Sequence, residues 1–149
     1  VGFENAIGSA GEDALIGSTG VNTLKGGGGE DILAGRGGAD HLYGGADADN
    51  FYFVSLKDSG PKAATRDTIH DFELGVDHIG LYDLNDKLGA IITGFLGVDV
   101  AFTGHKGDLR AITSGDNTIV QLDVNGDKKA DFSIQLDGHH ALTVDDFNL

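Results

Sequence analysis

The chain has 149 residues, enough for one ordinary domain or for two small units that share a core. Its 24 acidic side chains outnumber the 10 lysines and arginines and give a formal charge of -14. Nucleic acids and anionic membranes need basic protein surfaces, so this charge argues against both partners and favours cations.

The chain contains no cysteine, which excludes disulfides and thiolate metal sites and leaves soft-metal chemistry to six histidines. No stretch approaches the length of a membrane span, so we expect no membrane insertion. The start "VGFENAIG" lacks the basic and apolar regions of a signal peptide. Because the first residue is not Met, we expect the chain to be a piece of a longer protein.

Residues 8–52 repeat with a period of nine residues, in the blocks GSAGEDALI, GSTGVNTLK, GGGGEDILA, GRGGADHLY and GGADADNFY. The first position is always Gly, the fourth is Gly except at Asp47, and the sixth is always Asp or Asn. The eighth position holds Leu15, Leu24, Leu33, Leu42 and Phe51. This nine-residue pattern is typical of calcium-binding RTX proteins.

The pattern has a physical explanation. Three residues around each bulky side chain can form a short strand, and the six residues before them can form a turn whose glycines allow left-handed or crowded backbone. Two repeats per coil then give a parallel β-roll, in which the carboxylates of repeats n and n+2 line up and repel. A hard divalent cation between them, with glycine carbonyls completing an oxygen shell, would stabilise the roll, and calcium suits such ligands better than zinc or copper.

Residues 3–81 resemble the C-terminal domain of serralysin-type secreted metalloproteases, through "ENAIGSAGED", the repeats and "RDTIHDFELGVDHIGLYDL". The tail "LDVNGDKKADFSIQLDG" with "LTVDDFNL" also resembles the end of those chains, and mannuronan C-5 epimerases carry similar modules. The resemblance implies a non-catalytic, secreted and extracellular module that follows an N-terminal catalytic domain. It also implies that the last few dozen residues, ending in "DDFNL", carry the signal for a type I secretion transporter.

The resemblance further implies that each calcium ion lies between repeats n and n+2. One repeat supplies the carbonyls of positions two and four and its acid, and the other supplies those of positions one and three and its acid. The first site is Ser9, Gly11 and Asp13 with Gly26, Gly28 and Asp31. The second is Ser18, Gly20 and Asn22 with Gly35, Gly37 and Asp40, and the third is Gly27, Gly29 and Asp31 with Gly44, Ala46 and Asp49. A last turn, Arg36, Gly38 and Asp40, has no repeat beyond it, and either Asp58 and Asp67 close it or it stays open.

Two departures from the pattern bear on these sites. Asn22 replaces an acid, so its site is one negative charge short and should bind more weakly, while Asp47 replaces a fourth-position Gly. Asp31 is the only side chain assigned to two of the complete sites. A half-turn around Gly2 and Glu4 is expected to cap the roll as a structural element.

The second half of the chain loses the nine-residue period. Apolar residues alternate with polar ones at Val120, Leu122 and Val124 and again at Phe132, Ile134 and Leu136, with Asn125-Gly126 between the two runs. This pattern predicts a hairpin of an antiparallel sheet. "IITGFLGVDVAF" predicts a further strand pair or a buried run. We therefore expect an all-β protein, with a β-roll over residues 1–66 and an antiparallel cap over residues 67–149, in one continuous folding unit.

Three other groups of residues resemble sites. In the hairpin loop Asp123, Asn125, Asp127 and Asp131 fall at EF-hand positions one, three, five and nine, but Lys128 and Ile134 occupy positions six and twelve. This favours a plain acidic hairpin, with weak calcium binding as the alternative. We expect His139-His140 to lie in a solvated turn rather than to chelate metal. Asp145 and Asp146 could mimic a glycosidase pair, but no cleft or aromatic platform accompanies them.

A module that contacts polysaccharide, attached to an alginate epimerase or similar extracellular enzyme, is the alternative function. Lys25, Arg36, Tyr43 and Tyr52 could line one face for an acidic glycan. Basic residues are scarce, and the chain has only three Tyr and no Trp. The sequence therefore gives this alternative little support.

Overall fold

The computed structural model describes residues 4–149, which form two β-sheets, one short α-helix and one 3₁₀-helix. The strands of the repeats are β1 (Asn5–Ile7), β2 (Ala14–Ile16), β3 (Thr23–Gly28), β4 (Ile32–Ala34), β5 (His41–Ala46) and β6 (Asn50–Tyr52). The later strands are β7 (Asp67–Ile69), β8 (His78–Gly80), β9 (Phe95–Val98), β10 (Asp108–Ser114), β11 (Asn117–Asp123), β12 (Phe132–Asp137) and β13 (Phe147–Asn148). The helix α1 is Tyr82–Lys87, and the 3₁₀-helix is Val144–Asp146. The all-β prediction is confirmed, while Gly2 of the expected half-turn lies outside the described residues.

The repeats wind into a parallel β-roll. Strands β1, β3 and β5 pair in one sheet, with Asn5 opposite Thr23 and Thr23 opposite His41. Strands β2, β4 and β6 pair in the other sheet. Paired residues lie two repeats apart, so one coil contains two repeats, as predicted. Strands β3 and β5 are longer than three residues because their glycine turns also pair, with Gly27 opposite Gly45.

The eighth-position side chains fill the space between the two sheets. Leu24, Leu33, Leu42 and Phe51 are all fully buried, while Leu15 in the first coil is half-buried. Each fully buried side chain of this size contributes about 1.5–3 kcal/mol. The rest of each repeat carries little apolar surface, so the core of the roll is one side chain wide.

Both sheets continue past the last repeat. Strand β7 places Ile69 opposite Leu42, and β8 places Ile79 opposite Phe51, so the two isoleucines extend the buried column. Strand β12 then pairs with β7, with Ile134 opposite Asp67. One eight-stranded sheet therefore runs from the roll into the second half of the chain. The division at residue 66 remains a prediction about folding units, because sheet and core both cross it.

The cap contains the predicted hairpin. Strands β11 and β12 are antiparallel, β10 pairs with β11 on its other side, and β9 is the single strand formed within "IITGFLGVDVAF". Phe132 meets Phe53 edge to face at 5.5 Å, which joins cap and roll. Helix α1 was not predicted, and the Asn85 side chain holds it through bonds to both backbone groups of Ile92. Neither helix within residues 4–149 has the length and apolar character of a transmembrane helix.

Candidate metal centre

Turns of alternate repeats stack along two edges of the roll. One edge holds residues 8–13, 26–31 and 44–49, and the other holds residues 17–22 and 35–40. On each edge the sixth-position acid reaches one coil back. Asp31 Oδ1 accepts a hydrogen bond from the Asp13 N–H at 2.8 Å, and Asp49 Oδ1 accepts one from the Asp31 N–H at 3.0 Å. The acids therefore form a ladder that ties successive coils together.

The ladder continues beyond the repeats on both edges. Asp67 Oδ1 accepts from the Asp40 N–H at 2.8 Å, and Asp77 Oδ1 accepts from the Asp49 N–H at 3.0 Å. Asp67 was among the predicted site residues, but Asp77 was missed. The signal was available, because Asp77-His78-Ile79 repeats the pattern at positions six to eight of the blocks, which is Asp or Asn, then any residue, then a large apolar residue. The long segments before Asp67 and Asp77 had hidden that pattern.

The second carboxylate oxygen separates these acids into two groups. The Oδ2 atoms of Asp31, Asp40, Asp49 and Asp67 are buried and have no hydrogen-bond partner among residues 4–149. A buried polar atom without a partner costs about 1–3 kcal/mol, and more when it is charged. Four such atoms along the two edges need a ligand, and a cation is the ligand that carboxylates take.

Four other turns satisfy the corresponding oxygen internally. The second residue of the turn donates its N–H to the acid, from Ser9 to Asp13 Oδ2 at 2.6 Å and from Glu73 to Asp77 Oδ2 at 2.8 Å. The same bond joins Ser18 to Asn22 Oδ1 and Val54 to Asp58 Oδ2. We call the turns at 8–13, 17–22, 53–58 and 72–77 the closed turns, because the acid or amide is already hydrogen-bonded within the turn.

The three remaining turns, at 26–31, 35–40 and 44–49, are the open turns. Their second residues are Gly27, Arg36 and Gly45, with φ values of 120°, 71° and 112°. In this left-handed backbone the second residue makes no bond to the acid of its own turn, so the Oδ2 atom stays free. The unpartnered oxygens of the repeats therefore belong to the open turns.

The first-position glycines are required by the acid of the same turn. A Cβ on Gly26 would overlap Asp31 Oδ2 and come within 2.5 Å of the Gly44 carbonyl oxygen. Gly35 and Gly44 meet the carboxylates of their own turns in the same way. The first position is therefore always glycine because the carboxylate of the turn occupies the volume that a Cβ would need.

Asp47 departs from the fourth-position glycine without disturbing the stack. It keeps the left-handed backbone, at φ 74°, and its Oδ2 accepts from the Gly29 N–H at 3.2 Å. Asp is one of the few residues that tolerate this conformation. The substitution therefore adds a hydrogen bond to the turn one coil earlier.

The donor set indicates which metal fits. Within residues 4–149, no three acidic or histidine side chains converge on one point. Each acid of the ladder bonds to the backbone of the preceding coil, and the Gly44 carbonyl lies near the pocket of the Asp31 carboxylate, so backbone oxygens must complete any shell. Calcium accepts six to eight such oxygens, whereas structural zinc takes four ligands, which are mostly Cys and His. The residues fit calcium, while the individual ligand sets stay a prediction.

The acids of the ladder are held away from water. Burial raises the pKa of Asp67 to about 9, that of Asp49 to about 7 and that of Asp40 to about 6. Backbone hydrogen bonds oppose the increase, and neighbouring carboxylates add to it, such as Asp58 beside Asp40 and Asp67. Without a cation the stacked turns therefore favour protonated acids.

The hairpin loop uses its carboxylates for its own backbone. Asp123 accepts from the N–H groups of Gly126 and Lys128, both at 2.7 Å, and Asp131 Oδ2 accepts from the Val124 N–H at 2.8 Å. Lys128 adopts φ 67°, the conformation that an EF-hand gives to glycine at this position. The geometry supports the plain acidic hairpin, which stays an interpretation.

The histidine and aspartate pairs near the C-terminus have structural partners. The Nε2 atoms of His139 and His140 contact the carbonyl oxygens of Gly115 and Asp137, at 2.9 and 2.8 Å. Asp146 is buried and accepts from the Thr143 N–H at 2.7 Å, as the second half of a capping box. These bonds favour the structural interpretation of both pairs.

The residues proposed for a glycan face do not share one. Lys25 lies 4.9 Å from the ring centroid of Tyr43 on the outer side of the eight-stranded sheet. Tyr52 belongs to β6 in the other sheet, and Arg36 lies in a turn at the edge. The expectation of a single face is therefore wrong. Tyr43 and Tyr52 lie one repeat apart, and successive repeats place their strands in opposite sheets.

The family model described as Peptidase M10 serralysin C terminal matches residues 1–148. The chain belongs to this family. It is thus a serralysin C-terminal module, a repeat module of the calcium-binding RTX type, with a parallel β-roll.

Solved structures similar to this serralysin C-terminal module include two subunits of a mannuronan C5-epimerase from Azotobacter vinelandii. The AlgE6R2 subunit is 27% identical, with a TM-score of 0.62, over 96% of this chain and 88% of that chain. The AlgE6R3 subunit is 28% identical, with a TM-score of 0.42, over 95% of this chain and 80% of that chain. No curated protein sequence matches the chain significantly.

A pair of glycine substitutions tests whether the carboxylate occupies the first-position space. Gly26→Ala places a methyl group against Asp31 Oδ2, whereas Gly94→Ala, in the cap and outside every assigned site, places one where no atom lies within 4 Å. We expect Gly26→Ala to weaken calcium binding at least tenfold or to lose bound ions, because the acid must move. Gly94→Ala should bind like the parent. Isothermal calorimetry measures both, and equal effects would contradict this packing.

The pKa values predict how the metal-free module responds to pH. The folded-state pKa values of Asp40, Asp49 and Asp67 lie above the unfolded value of about 3.9, so folding takes up protons. Stability without metal should be greatest below pH 4 and should fall as pH rises through about 6 to 9. The β structure that metal-stripped protein retains at pH 5 and at pH 8, by circular dichroism, measures this.

Asp67→Asn is the matched control for the pH experiment, because it keeps the Oδ1 acceptor and removes the most strongly shifted carboxyl group. The metal-free variant should be more stable than the parent at pH 8, with a weaker pH dependence. Stability that increases from pH 5 to pH 8 in the metal-free parent would show that these acids are not buried without metal.

Proposed function

We propose that this module binds several calcium ions between its stacked turns and folds as it binds them. The observation that carries this proposal is the set of buried, unpartnered Oδ2 atoms of Asp31, Asp40, Asp49 and Asp67. They occur at the same position of successive turns and lie among glycine carbonyls. A cation between successive turns would give each of these four buried oxygens an ionic partner.

The binding mode follows the predicted sites. The acids and carbonyls of turns 8–13, 26–31 and 44–49 hold ions on one edge, and those of turns 17–22 and 35–40 hold ions on the other. Asp67 completes the second edge, and Asp77 extends the first. Asn22 brings no charge and lies in a closed turn, where its Nδ2 donates to the Glu4 carbonyl and to Ser18 Oγ. Its site should therefore be the weakest.

Calcium would act as an extracellular folding signal. Extracellular calcium modules bind at about 0.1–1 mM, far above the free calcium of a cytoplasm. Inside the cell the chain, with its charge of -14, would stay unfolded, and it would fold after export. Because calcium binds the folded state and not the unfolded state, it stabilises the folded state, and this stabilisation increases with calcium concentration. The chain itself would have no catalytic activity and would serve an N-terminal catalytic domain of its parent protein.

The direct test of this function is calcium-dependent folding. In chelator at pH 7.5 the protein should have little β structure by circular dichroism, and calcium at about 1–10 mM should restore it. Magnesium should restore much less, because it requires rigid octahedral geometry and retains its waters. A spectrum that is the same in chelator and in calcium would reject the proposal.

Export through a type I secretion transporter is the second part of the proposal, with the signal in the C-terminal segment that ends in "DDFNL". In the folded module this segment is not a free tail. Strand β13 pairs with β8, and Phe147 packs on Phe95 at 5.0 Å. The transporter would recognise this segment while the chain is unfolded. Strand β13 would join the five-stranded sheet only after the chain binds calcium.

Two variants separate the signal from the packing. Deletion of residues 146–149 removes both, whereas Phe95→Ala removes the aromatic partner and leaves the tail sequence intact. In cells with a matching transporter, the deletion should abolish secretion, and Phe95→Ala should be secreted like the parent. The ratio of medium to cell-bound protein measures this. Undiminished secretion of the deletion variant would reject the signal.

A polysaccharide-contacting role is the alternative. The likeness to an epimerase subunit and the Lys25–Tyr43 pair on the outer sheet favour it. The loss of Arg36 and Tyr52 from that face weakens it. Titration with alginate at fixed calcium, monitored by calorimetry, distinguishes the two roles, because calcium-dependent folding alone predicts no heat of glycan binding.

A further inference from the structure

A short buried segment, Asp58-Ser59-Gly60, lies between the second edge of the roll and the cap strand β12. Asp58 is buried beside Asp40 and Asp67, and its negative charge disfavours a negative charge on either of them. The next residue, Ser59, is fully buried and faces the cap. One segment therefore touches both the candidate metal site and the C-terminal sheet.

The Ser59 hydroxyl bonds to both sides at once. Its oxygen accepts from the Asp67 N–H at 2.7 Å, and its proton is donated to the carbonyl oxygen of Ser133 in β12. Ser133 returns a bond, because its own hydroxyl donates to the Gly60 carbonyl at 3.0 Å. A serine hydroxyl has one proton, so acceptance from Asp67 leaves that proton free for the cap.

We propose that Ser59 is a positioning residue through which occupation of the Asp40–Asp67 site orders the C-terminal cap. The proposal rests on the calcium-dependent folding proposed above. Without a cation, nothing bridges the buried side chains of Asp40, Asp58 and Asp67, and the start of β7 is held less firmly. A cation draws them together, fixes the Asp67 backbone N–H and thereby orients the Ser59 hydroxyl toward Ser133.

The other links between roll and cap are weaker candidates for this coupling. Strands β7 and β12 pair over only three residues, from Asp67 opposite Ile134 to Ile69 opposite Leu136. The hydrogen bond between His70 and Asp137, at 2.7 Å, is partly exposed, and pairs at such positions contribute little. The Ser59 hydroxyl is buried, so its loss leaves the Asp67 N–H without its partner and removes a bond to the cap.

Hydrogen exchange during a calcium titration of the full chain tests the coupling. In the parent, peptides from β4 to β6 and from β12 should gain protection at the same calcium concentration. In Ser59→Ala the midpoint for β12 should rise about threefold or more, as expected for the loss of one or two buried hydrogen bonds. The midpoint for β4 to β6 should change by less than about twofold.

Two control variants identify the hydroxyl as the cause. Ser59→Thr keeps the hydroxyl and should keep the two midpoints together. Ser133→Ala removes a hydroxyl from the same contact but leaves the Ser133 carbonyl, so its midpoints should also stay together. If Ser59→Ala fails to fold at saturating calcium, coincident midpoints in both controls would support the proposal.

Three results in the variants would overturn the proposal. These are coincident midpoints in Ser59→Ala, separated midpoints in Ser59→Thr, and a separation in Ser133→Ala as large as in Ser59→Ala. Protection of β12 in the parent without calcium would also overturn it, while leaving calcium binding by the roll intact. A parent in which no peptide responds to calcium would overturn the proposed function as well.

Discussion

This structure depends on one constraint, which is that the two oxygens of each ladder carboxylate face different partners. The Oδ1 atom of each ladder acid bonds to the backbone of the preceding coil, as Asp31 does to Asp13. In the open turns and at Asp67 the other oxygen stays buried without a hydrogen-bond partner among residues 4–149. The group that joins the coils is therefore also the group that makes a cation necessary. Stacking and metal binding cannot be separated, because both use the same side chain.

The backbone conformation at the second turn position decides whether the acid of that turn needs a cation. Ser9 bonds to its acid and closes the turn, whereas left-handed Gly27 leaves the acid open. The open turns lie in the middle of the roll, between the closed first coil and the closed turns that lead into the cap. Calcium should therefore contribute most to the centre of the roll, where the core is one side chain wide.

The cap and the roll form a continuous structure. Strands β7 and β8 carry the ladder acids Asp67 and Asp77 and the buried Ile69 and Ile79, although no glycine-rich turn precedes them. Strand β7 then pairs with β12, so the C-terminal sheet covers what would otherwise be an exposed edge of the roll. The epimerase subunit with 27% identity matches 96% of the chain, so the likeness includes both parts.

The nine-residue period by itself determined the coil, the two sheets, the inward column from Leu24 to Phe51 and the family. It could do so because a short strand and a glycine turn leave one way to bury the single bulky residue of each repeat. The alternation around Asn125-Gly126 likewise determined the hairpin. Only the tertiary structure decided which acids remain unpartnered, because that depends on the backbone at Ser9, Gly27 and their equivalents. It also decided the role of Asp77 and the bonds of Ser59, since long irregular segments bring these residues to the roll and no local period records where such segments end.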